Sequence, residues 1–531
     1  MERREFLKSG LIGGAAAAIG LRAEAGIGAN GQVPAFELDE VSVSNLLAAM
    51  KSGRETSQSI TEKYLERIDA IDRNGPKLNS VIELNPEATE ISEQLDRERK
   101  EGRLRGALHG IPVLIKDNIE TGDRMMTTAG SLALQGNVAS KDAHIVARLR
   151  KAGAVILGKT NLSEWANFRS TKSTSGWSGR GGQTKNPYAL DRNPCGSSSG
   201  SGVAASANLC AAAVGTETDG SIICPSTSNG LVGIKPTLGL VSRTGIIPLS
   251  HSQDTAGPMC RSVADAAILL GVLAGKDVSD PATKGFNGHA YYTQFLKRDG
   301  LKGARIGIAR KFFGFNPRVD AVMHDAIVAI KEAGAIIVDH SDLPSHGKYD
   351  DTEFEVLLYD FKADINTYLK SRNLPVRSLA DLIRFNERNK DREMPYFGQE
   401  IFHMAQAKGP LSEKKYKDAL AKNLRMSRDD GIDAIIRKNR LDAIIAPSGG
   451  PAWTTDLVNG DHFTGGSSTP AAVSGYPAIT VPAGLVRGLP VGITFFGSAW
   501  SEPTLIKFAY AFEQETRQRK APSYLPSPDF G

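Results

Sequence analysis

The feature that most constrains the fold is a unit of one helix, a glycine turn and one apolar strand, which occurs twice along the chain. In the first copy, residues 143–151 carry apolar side chains at helical spacing, Gly153 provides the turn, and residues 154–157 are continuously apolar. The second copy covers residues 319–332 and 335–338. Further strand-like runs lie at residues 111–115, 305–309 and 442–446. Alternating helices and buried strands predict an α/β fold with helices on both faces of the sheet.

Charged residues of both signs are interleaved along the chain. The 64 Lys and Arg residues against 59 Asp and Glu residues leave a net charge of only +5 over 531 residues. Residues 38–71 and 86–101 show apolar side chains at helical spacing among many charges, which predicts amphipathic helices. Runs such as residues 96–101 (DRERKE) are typical of solvated helix faces rather than of a phosphate-binding stripe. We therefore expect no nucleic-acid partner.

The first 25 residues differ from the rest of the chain. Arg3-Arg4 precedes the apolar, Gly/Ala-rich residues 11–21, and residues 23–25 (AEA) follow as a small-x-small cleavage site. The paired arginines resemble the twin-arginine export signal, and the apolar run is shorter than the roughly 20 residues that span a bilayer. We predict an export signal over residues 1–25, a mature domain over residues 26–531, a periplasmic or secreted location, and no stable membrane association after export.

The spacing of the four cysteines indicates no particular disulfide pairing. Cys195, Cys210, Cys224 and Cys260 form no CxxC pair and lack the spacing of metal ligands. An oxidising compartment would allow three pairings, and the sequence selects none of them. Because a chain of this size does not need a disulfide for stability, buried free thiols are favoured over a disulfide, which stays open as the alternative. The lack of ligand spacing predicts no metal site.

The middle of the chain, residues 170–229, is rich in Gly, Ser, Thr and Asn. Flexible linkers have such a composition, but residues 203–214 are a compact Ala-rich helix candidate, which a linker lacks. Residues 196–202 (GSSSGSG) precede this candidate and residues 215–222 (GTETDGSI) follow it. Two serine loops joined by one short helix can lie side by side, and the small residues indicate backbone packed closely against backbone or a ligand.

A serine in these loops needs a base before it can act as a nucleophile, and no histidine lies near in sequence. Lys116 directly follows the apolar residues 111–115, at the end of a predicted buried strand. Burial disfavours the charged ammonium, so a lysine surrounded by hydroxyl groups can be neutral and accept a proton. Because Ser-Lys catalysis is an established variant of the serine triad, the sequence indicates a serine hydrolase.

Other interpretations of these residues are weaker. Residues 196–202 could bind an anion at a helix start, but neither loop fits GxxxxGK[ST]. The same loop contains G-x-S-x-G with Ser198 as the nucleophile, but the polar residues 191–195 are not the preceding strand that this motif requires. Lys159 and Lys235 are bases by type, for which surface or packing roles are expected. The nine histidines are expected to be structural.

A series of short motifs in fixed order resembles the amidase-signature family. They are residues 116–118 (KDN), 158–161 (GKTN), 196–201 (GSSSGS), 215–222 (GTETDGSI), 233–237 (GIKPT), 257–259 (GPM), 261–265 (RSVAD) and 488–492 (GLPVG). Residues 162–168 (LSEWANF) and 252–255 (SQDT) are most similar to the bacterial peptide amidases of that family. The resemblance covers nearly everything after the predicted signal, and it implies a single large α/β domain with a mixed central sheet flanked by helices.

The resemblance also implies a role for each site residue. Ser221 is the nucleophile, Lys116 is the ultimate base, and Ser197, whose peptide link is cis in this family, relays the proton between them. It also implies an oxyanion hole formed by the backbone N–H groups of Thr218, Asp219, Gly220 and Ser221. The resemblance implies neither a metal nor an organic cofactor.

Three positions depart from the commonest family pattern: Glu217, Asp219 and Ile223 stand where Asp, Gly and Arg are usual. These changes leave the triad intact and alter the shape and charge of the substrate pocket, where Asp219 is expected to contact a polar part of the substrate. The pocket itself is expected to be set by residues 170–180, residues 351–407 and the loops near Trp453.

The expected function is hydrolysis of carboxamides, with removal of the C-terminal amide of peptides and release of ammonia. One alternative is a broad-specificity amidase acting on small aliphatic or aryl amides. An alternative of another class is a catalytically inactive, exported amide-binding protein. The predicted export signal disfavours the amidotransferase subunit that acts on glutamyl-tRNA. The sequence leaves the oligomeric state undetermined.

Overall fold

A computed structural model describes residues 33–530, so the predicted export signal at residues 1–25 lies outside the described residues. The strands are β1 Val81–Leu84, β2 Pro112–Lys116, β3 Val155–Thr160, β4 Trp177–Ser178, β5 Gly182–Gln183, β6 Ala212–Glu217, β7 Val232–Lys235, β8 Thr255–Cys260, β9 Arg305–Ile308, β10 Ile336–Val338, β11 Ala443–Pro447, β12 Ala478–Val486 and β13 Leu489–Phe496. The α-helices are α1 Val43–Ser52, α2 Ser57–Arg67, α3 Ala88–Lys100, α4 His144–Lys151, α5 Ser199–Ser206, α6 Ile223–Ser228, α7 Val263–Leu273, α8 Pro317–Glu332, α9 Asp350–Lys370, α10 Leu379–Arg388, α11 Lys390–Glu393, α12 Glu400–Gln406, α13 Lys414–Ser427, α14 Asp433–Asn439, α15 Thr469–Ser474 and α16 Glu502–Thr516.

One sheet of 11 strands organises the molecule, in the order β1-β3-β2-β6-β8-β7-β12-β13-β11-β9-β10. The sheet is mixed: β2 runs parallel to both β3 and β6, whereas β6 and β8 are antiparallel. The two helix-turn-strand units predicted from the sequence are α4 with β3 and α8 with β10. The predicted single α/β domain with a mixed central sheet flanked by helices is therefore confirmed.

Local sequence explains where the helices begin. At the start of α2, Thr56 and Ser59 form a capping box, in which each side chain accepts a hydrogen bond from the other residue's backbone N–H. Helix α8 begins with Pro317, which needs no N–H partner there, and the Asn316 side chain accepts from the N–H of Arg318. None of the helices in residues 33–530 combines the length and the apolarity that crossing a bilayer requires.

The helix predicted over residues 203–214 is only partly correct. Helix α5 ends at Ser206, Asn208 turns the chain with a φ of 57°, and β6 begins at Ala212. Strand β6 lies between β2 and β8, where every one of its residues is buried. A short run of apolar residues that is buried on all sides has no alternation of apolar and polar side chains that distinguishes a strand from a helix. Residues 212–214 were therefore predicted as helix instead of strand.

Residues 351–407 form a helical layer of their own beside the sheet. Helices α9, α10 and α12 contribute to a second apolar cluster, separate from the main core along the sheet. Within it, Phe361 stacks on Phe402 with ring centroids 5.3 Å apart, and Trp165 meets Phe402 edge-on at 6.0 Å. The inserted helices thereby pack against residues 164–168, next to the serine loops.

Candidate active site

Lys116 is the last residue of β2 and is completely buried. Its Nζ donates hydrogen bonds to Ser197 Oγ at 2.7 Å and to Thr216 Oγ1 at 2.9 Å. Burial lowers the pKa of Lys116 to about 7, against the weaker opposing attraction of Asp254 and Glu217. An amine with this pKa is substantially neutral near pH 7 and can accept a proton.

The two serine loops lie side by side, as the sequence indicates. Ser197 follows Gly196 through a cis peptide bond and precedes α5, whereas Ser221 lies between β6 and α6. Ser198 connects the loops, because its N–H donates to the carbonyl of Ser221 at 3.3 Å and its hydroxyl donates to the carbonyl of Thr216 at 2.9 Å. Within residues 33–530, no hydrogen bond joins the hydroxyls of Ser197 and Ser221 to each other.

The backbone of residues 218–221 presents four consecutive N–H groups. None of them donates to a protein acceptor within the described part of the chain. Gly220 has a φ of 77°, in the left-handed region that side-chain-bearing residues rarely adopt. A run of backbone donors that no protein group pairs, beside Ser221, is suited to holding a negatively charged oxygen.

Hydrogen bonds from three side chains hold this loop in place. Glu217 Oε2 accepts from the N–H groups of Ile222 and Ile223 at 2.7 and 2.9 Å. The Thr218 hydroxyl donates to Asp254 Oδ1 at 2.6 Å, and Gln253 Nε2 donates to the Thr218 carbonyl at 3.2 Å. The loop is thus fixed on both sides of Ser221, by Glu217 within the loop and by Gln253 and Asp254 outside it.

The Asp219 carboxylate, which was expected to contact the substrate, is hydrogen-bonded to other side chains of the protein. Its two carboxylate oxygens accept from Ser468 Oγ at 2.6 Å and from Thr469 Oγ1 at 2.7 Å, at the start of α15. Burial raises the pKa of Asp219, with these two hydrogen bonds acting in the opposite direction. The Asp219 side chain, which replaces the usual glycine, therefore anchors the loop to α15. The backbone N–H of Asp219 stays unpaired in the described part of the chain.

The prediction of four free thiols is wrong for one pair. Cys195 and Cys224 form a disulfide with Cα atoms 6.0 Å apart, whereas Cys210 and Cys260 are free and buried as predicted. Cys195 lies two residues before Ser197, and Cys224 lies three residues after Ser221. Since the fold brings the two serine loops together, it also brings these cysteines within disulfide distance.

Lys159 and Lys235 are both completely buried, so the expected packing role is confirmed and a surface role is wrong. Lys159 Nζ donates to the Ile119 carbonyl at 2.5 Å and to Thr127 Oγ1 at 2.9 Å, and Lys235 Nζ donates to the Pro236 carbonyl at 3.1 Å. Burial lowers the pKa of each to about 8. Neither amine is hydrogen-bonded to a serine of the two loops.

A cavity of about 450 Å³ opens beside the serine loops. Its wall includes Thr216 and Thr218 together with aromatic and aliphatic side chains, and His251 and four charged side chains complete the wall. The lining residues outside the serine loops are Asn118, Ala129, Leu162, Trp165, Ala166, Arg243, Thr244, Ile246, Ile247, Pro248, Leu249, His251, Asp254, Thr255, Ser279, Asp280, Pro281, Phe361, Asp364, Thr367 and Tyr368. Of residues 351–407, which were expected to contribute to the substrate pocket, Phe361, Asp364, Thr367 and Tyr368 line this cavity.

Two of the predicted pocket segments do not line this cavity. Residues 170–180 and Trp453 lie elsewhere, whereas parts of residues 243–255 and 279–281, which were not among the predicted pocket segments, form part of the wall. Residues 252–255 (SQDT) could have indicated this part of the wall, because the motif resembles the peptide amidases and contains Asp254, which lines the cavity.

The large mixed sheet holds the buried Lys116 amine against the two serine loops, an arrangement suited to activating a serine hydroxyl. Residues 59–506 match the family described as Amidase. The chain therefore belongs to the amidase family, and it is an amide hydrolase.

Solved structures and a curated relative agree with this assignment. The native peptide amidase from Stenotrophomonas maltophilia is 51% identical with a TM-score of 0.88, covering 92% of this chain and 100% of that chain. A peptide amidase in complex with the competitive inhibitor chymostatin is 52% identical with a TM-score of 0.89, with coverage of 92% and 100%. A probable amidase of Arabidopsis thaliana is 44% identical over 502 residues, which is 92% of this chain and 93% of the relative.

Proposed function

We propose that this amidase removes the C-terminal amide of peptides through a triad of Lys116, Ser197 and Ser221. The observation that carries the proposal is the 2.7 Å hydrogen bond between the buried Lys116 amine and the Ser197 hydroxyl. A neutral amine in this position can take up a proton that leaves Ser221 by way of Ser197. All three residues of the relay are present, which argues against an inactive amide-binding relative.

In the acylation half-reaction, Ser221 Oγ forms a bond to the amide carbonyl carbon while its proton passes through Ser197 to Lys116. The oxygen of the tetrahedral intermediate accepts hydrogen bonds from the free N–H groups of residues 218–221. Removal of one such donor costs about 2.7 to 4 kcal/mol in other serine hydrolases. The carbon–nitrogen bond then breaks as the proton returns from Lys116 to the leaving nitrogen, and ammonia departs.

In the deacylation half-reaction, water attacks the ester carbon of acyl-Ser221. Its proton follows the same route to Lys116, the bond to Ser221 Oγ breaks, and the proton is returned to that oxygen. The products are the free peptide acid and the regenerated enzyme. No proton is gained or lost by the triad over the cycle.

The peptide character of the substrate is supported by the size and chemistry of the cavity. A volume of about 450 Å³ exceeds what acetamide needs and suits at least one amino-acid side chain. Aromatic and aliphatic residues such as Trp165, Ile247 and Phe361 suit an apolar side chain next to the scissile amide. The likeness to peptide amidases points in the same direction.

We also propose export to an oxidising compartment, by the twin-arginine route that residues 1–25 suggest. The Cys195–Cys224 disulfide supports this location, because structural disulfides persist mainly outside the reducing cytosol.

Ammonia release from a panel of amidated peptides, with acetamide, benzamide and free-acid peptides alongside, tests the substrate proposal. We expect turnover of the amidated peptides only or predominantly, and a preference for acetamide or benzamide would reject the peptide substrate. Ser221→Ala and Lys116→Ala are each expected to abolish turnover, with Ser206→Ala at the far end of α5 as the matched control. Near-normal turnover by either triad variant would overturn the mechanism, and no turnover of any amide by the parent protein would favour a binding protein.

A further inference from the structure

The cavity wall contains a segment in an unusual backbone conformation. Trp165, Ala166 and Asn167 have φ values of 50°, 56° and 67°, in the left-handed region that residues other than glycine rarely adopt. Trp165 and Ala166 both line the cavity. Three successive residues in this region persist only where surrounding structure enforces it, and such segments occur preferentially at functional sites.

Trp165 is held firmly in this wall. Its backbone N–H donates to the Ala129 carbonyl at 3.1 Å, its ring meets Phe402 edge-on, and only 3% of the residue is exposed. Its indole Nε1 nevertheless has no hydrogen-bond partner within residues 33–530. A buried tryptophan N–H normally has a partner, so this donor requires an explanation.

Asn118 offers the complementary group in the same cavity. Its Nδ2 donates to Thr216 Oγ1 at 3.0 Å, the hydroxyl that also receives the Lys116 amine. Its Oδ1 is buried and has no partner in the described part of the chain. Trp165 and Asn118 both line the cavity, so its wall contains one residue with an unpaired donor and one residue with an unpaired acceptor. One peptide unit supplies the complementary acceptor and donor.

We propose that Trp165 Nε1–H and Asn118 Oδ1 bind the main-chain carbonyl and N–H of the peptidyl part of the substrate. They are then specificity-determining residues, which favour an amidated peptide over a simple amide that lacks a second backbone amide group. The inference rests on the proposed amide-hydrolase function and names the part of the substrate that this wall recognises. Because Asn118 also contacts the hydroxyl bound to Lys116, the test is placed on Trp165.

The test compares two substrates that differ only in the backbone group: N-acetyl-phenylalaninamide and 3-phenylpropanamide. The readout is the ratio of their kcat/KM values for the parent protein and for Trp165→Phe, which retains an apolar ring and removes the N–H. One neutral hydrogen bond corresponds to about a 3- to 10-fold change in that ratio. We expect Trp165→Phe to lower the ratio of kcat/KM for N-acetyl-phenylalaninamide to that for 3-phenylpropanamide by this factor. The main cause should be a higher KM for N-acetyl-phenylalaninamide.

Trp177→Phe is the matched control, because Trp177 is buried and packs against Phe397 rather than lining the cavity. This variant is expected to leave the ratio unchanged, and thermal unfolding of both variants checks that they are folded. An unchanged ratio in Trp165→Phe, or an equal change in Trp177→Phe, overturns the inference. A parent protein that hydrolyses neither substrate nor any amidated peptide contradicts the proposed function instead.

Discussion

Replacement of Lys116 by methionine is expected to abolish activity and yet to stabilise the protein at pH 7. Burial lowers the pKa of the amine from 10.5 to about 7, and each pKa unit corresponds to about 1.36 kcal/mol. The charged form is therefore disfavoured by about 5 kcal/mol in the folded state. At pH 7, where about half of the folded molecules hold the proton, the net cost to folding is about 4 kcal/mol.

Methionine removes this cost and also removes the hydrogen bonds to Ser197 Oγ and Thr216 Oγ1. Each of these bonds contributes about 1 kcal/mol. We therefore expect a net gain in the free energy of unfolding of about 2 kcal/mol at pH 7. An increase in the free energy of unfolding would be informative, because most substitutions of completely buried residues destabilise a protein.

The pH dependence of this difference separates the charge effect from packing. Between pH 7 and 10.5 the unfolded parent chain binds a proton at Lys116 that the folded chain does not, so parent stability rises with pH. The methionine variant lacks this contribution, so its greater free energy of unfolding at pH 7 should become slightly smaller than that of the parent by about pH 9.5. Urea unfolding of both proteins at pH 7 and pH 9.5 measures this difference in free energy. A variant less stable than the parent at pH 7, or a difference that does not vary with pH, would refute the assignment of a desolvated amine.

Three further outcomes follow from the same site. The kcat/KM for an amidated peptide should rise about tenfold per pH unit below pH 7 and level off above it, because the relay needs neutral Lys116; a profile without this rise contradicts a lysine base. The double variant Cys195→Ser/Cys224→Ser opens a loop of 29 residues and should lose about 3.6 kcal/mol of stability by the loop-entropy relation; unchanged urea unfolding contradicts a structural disulfide. Glu217→Gln weakens the two charge-assisted hydrogen bonds beside Ser221 and should lower kcat about 5- to 10-fold with little change in KM; a change confined to KM contradicts a positioning role.

Much of the fold could be predicted because its signals are local. The apolar run before Lys116 identified a buried strand that ends at the candidate base, and the glycine at 153 marked the turn between a helix and a strand. The two serine loops could be placed side by side because the chain between them is short. Strand β6 was misassigned for the complementary reason, since a strand buried in the sheet centre has no polar face to reveal its period.

The remaining features depend on contacts between distant parts of the chain. The Cys195–Cys224 pairing follows from two loops meeting in space, and sequence spacing alone gives no preference for it. The cavity wall combines residues near 118, 165, 247, 280 and 361, so it could not be assembled from any single motif. The partners of Asp219 lie about 250 positions further along the chain, and only the tertiary fold reveals them.

Labelling by a fluorophosphonate probe, followed by peptide mapping, tests the central claim most directly. The probe forms a bond from phosphorus to an activated serine oxygen, and fluoride departs. We predict stoichiometric labelling at Ser221 in the parent protein and a greatly reduced rate in Lys116→Met, measured on protein shown to be folded. Labelling at a different serine, or an equal rate with methionine at position 116, would contradict activation of Ser221 by the buried amine.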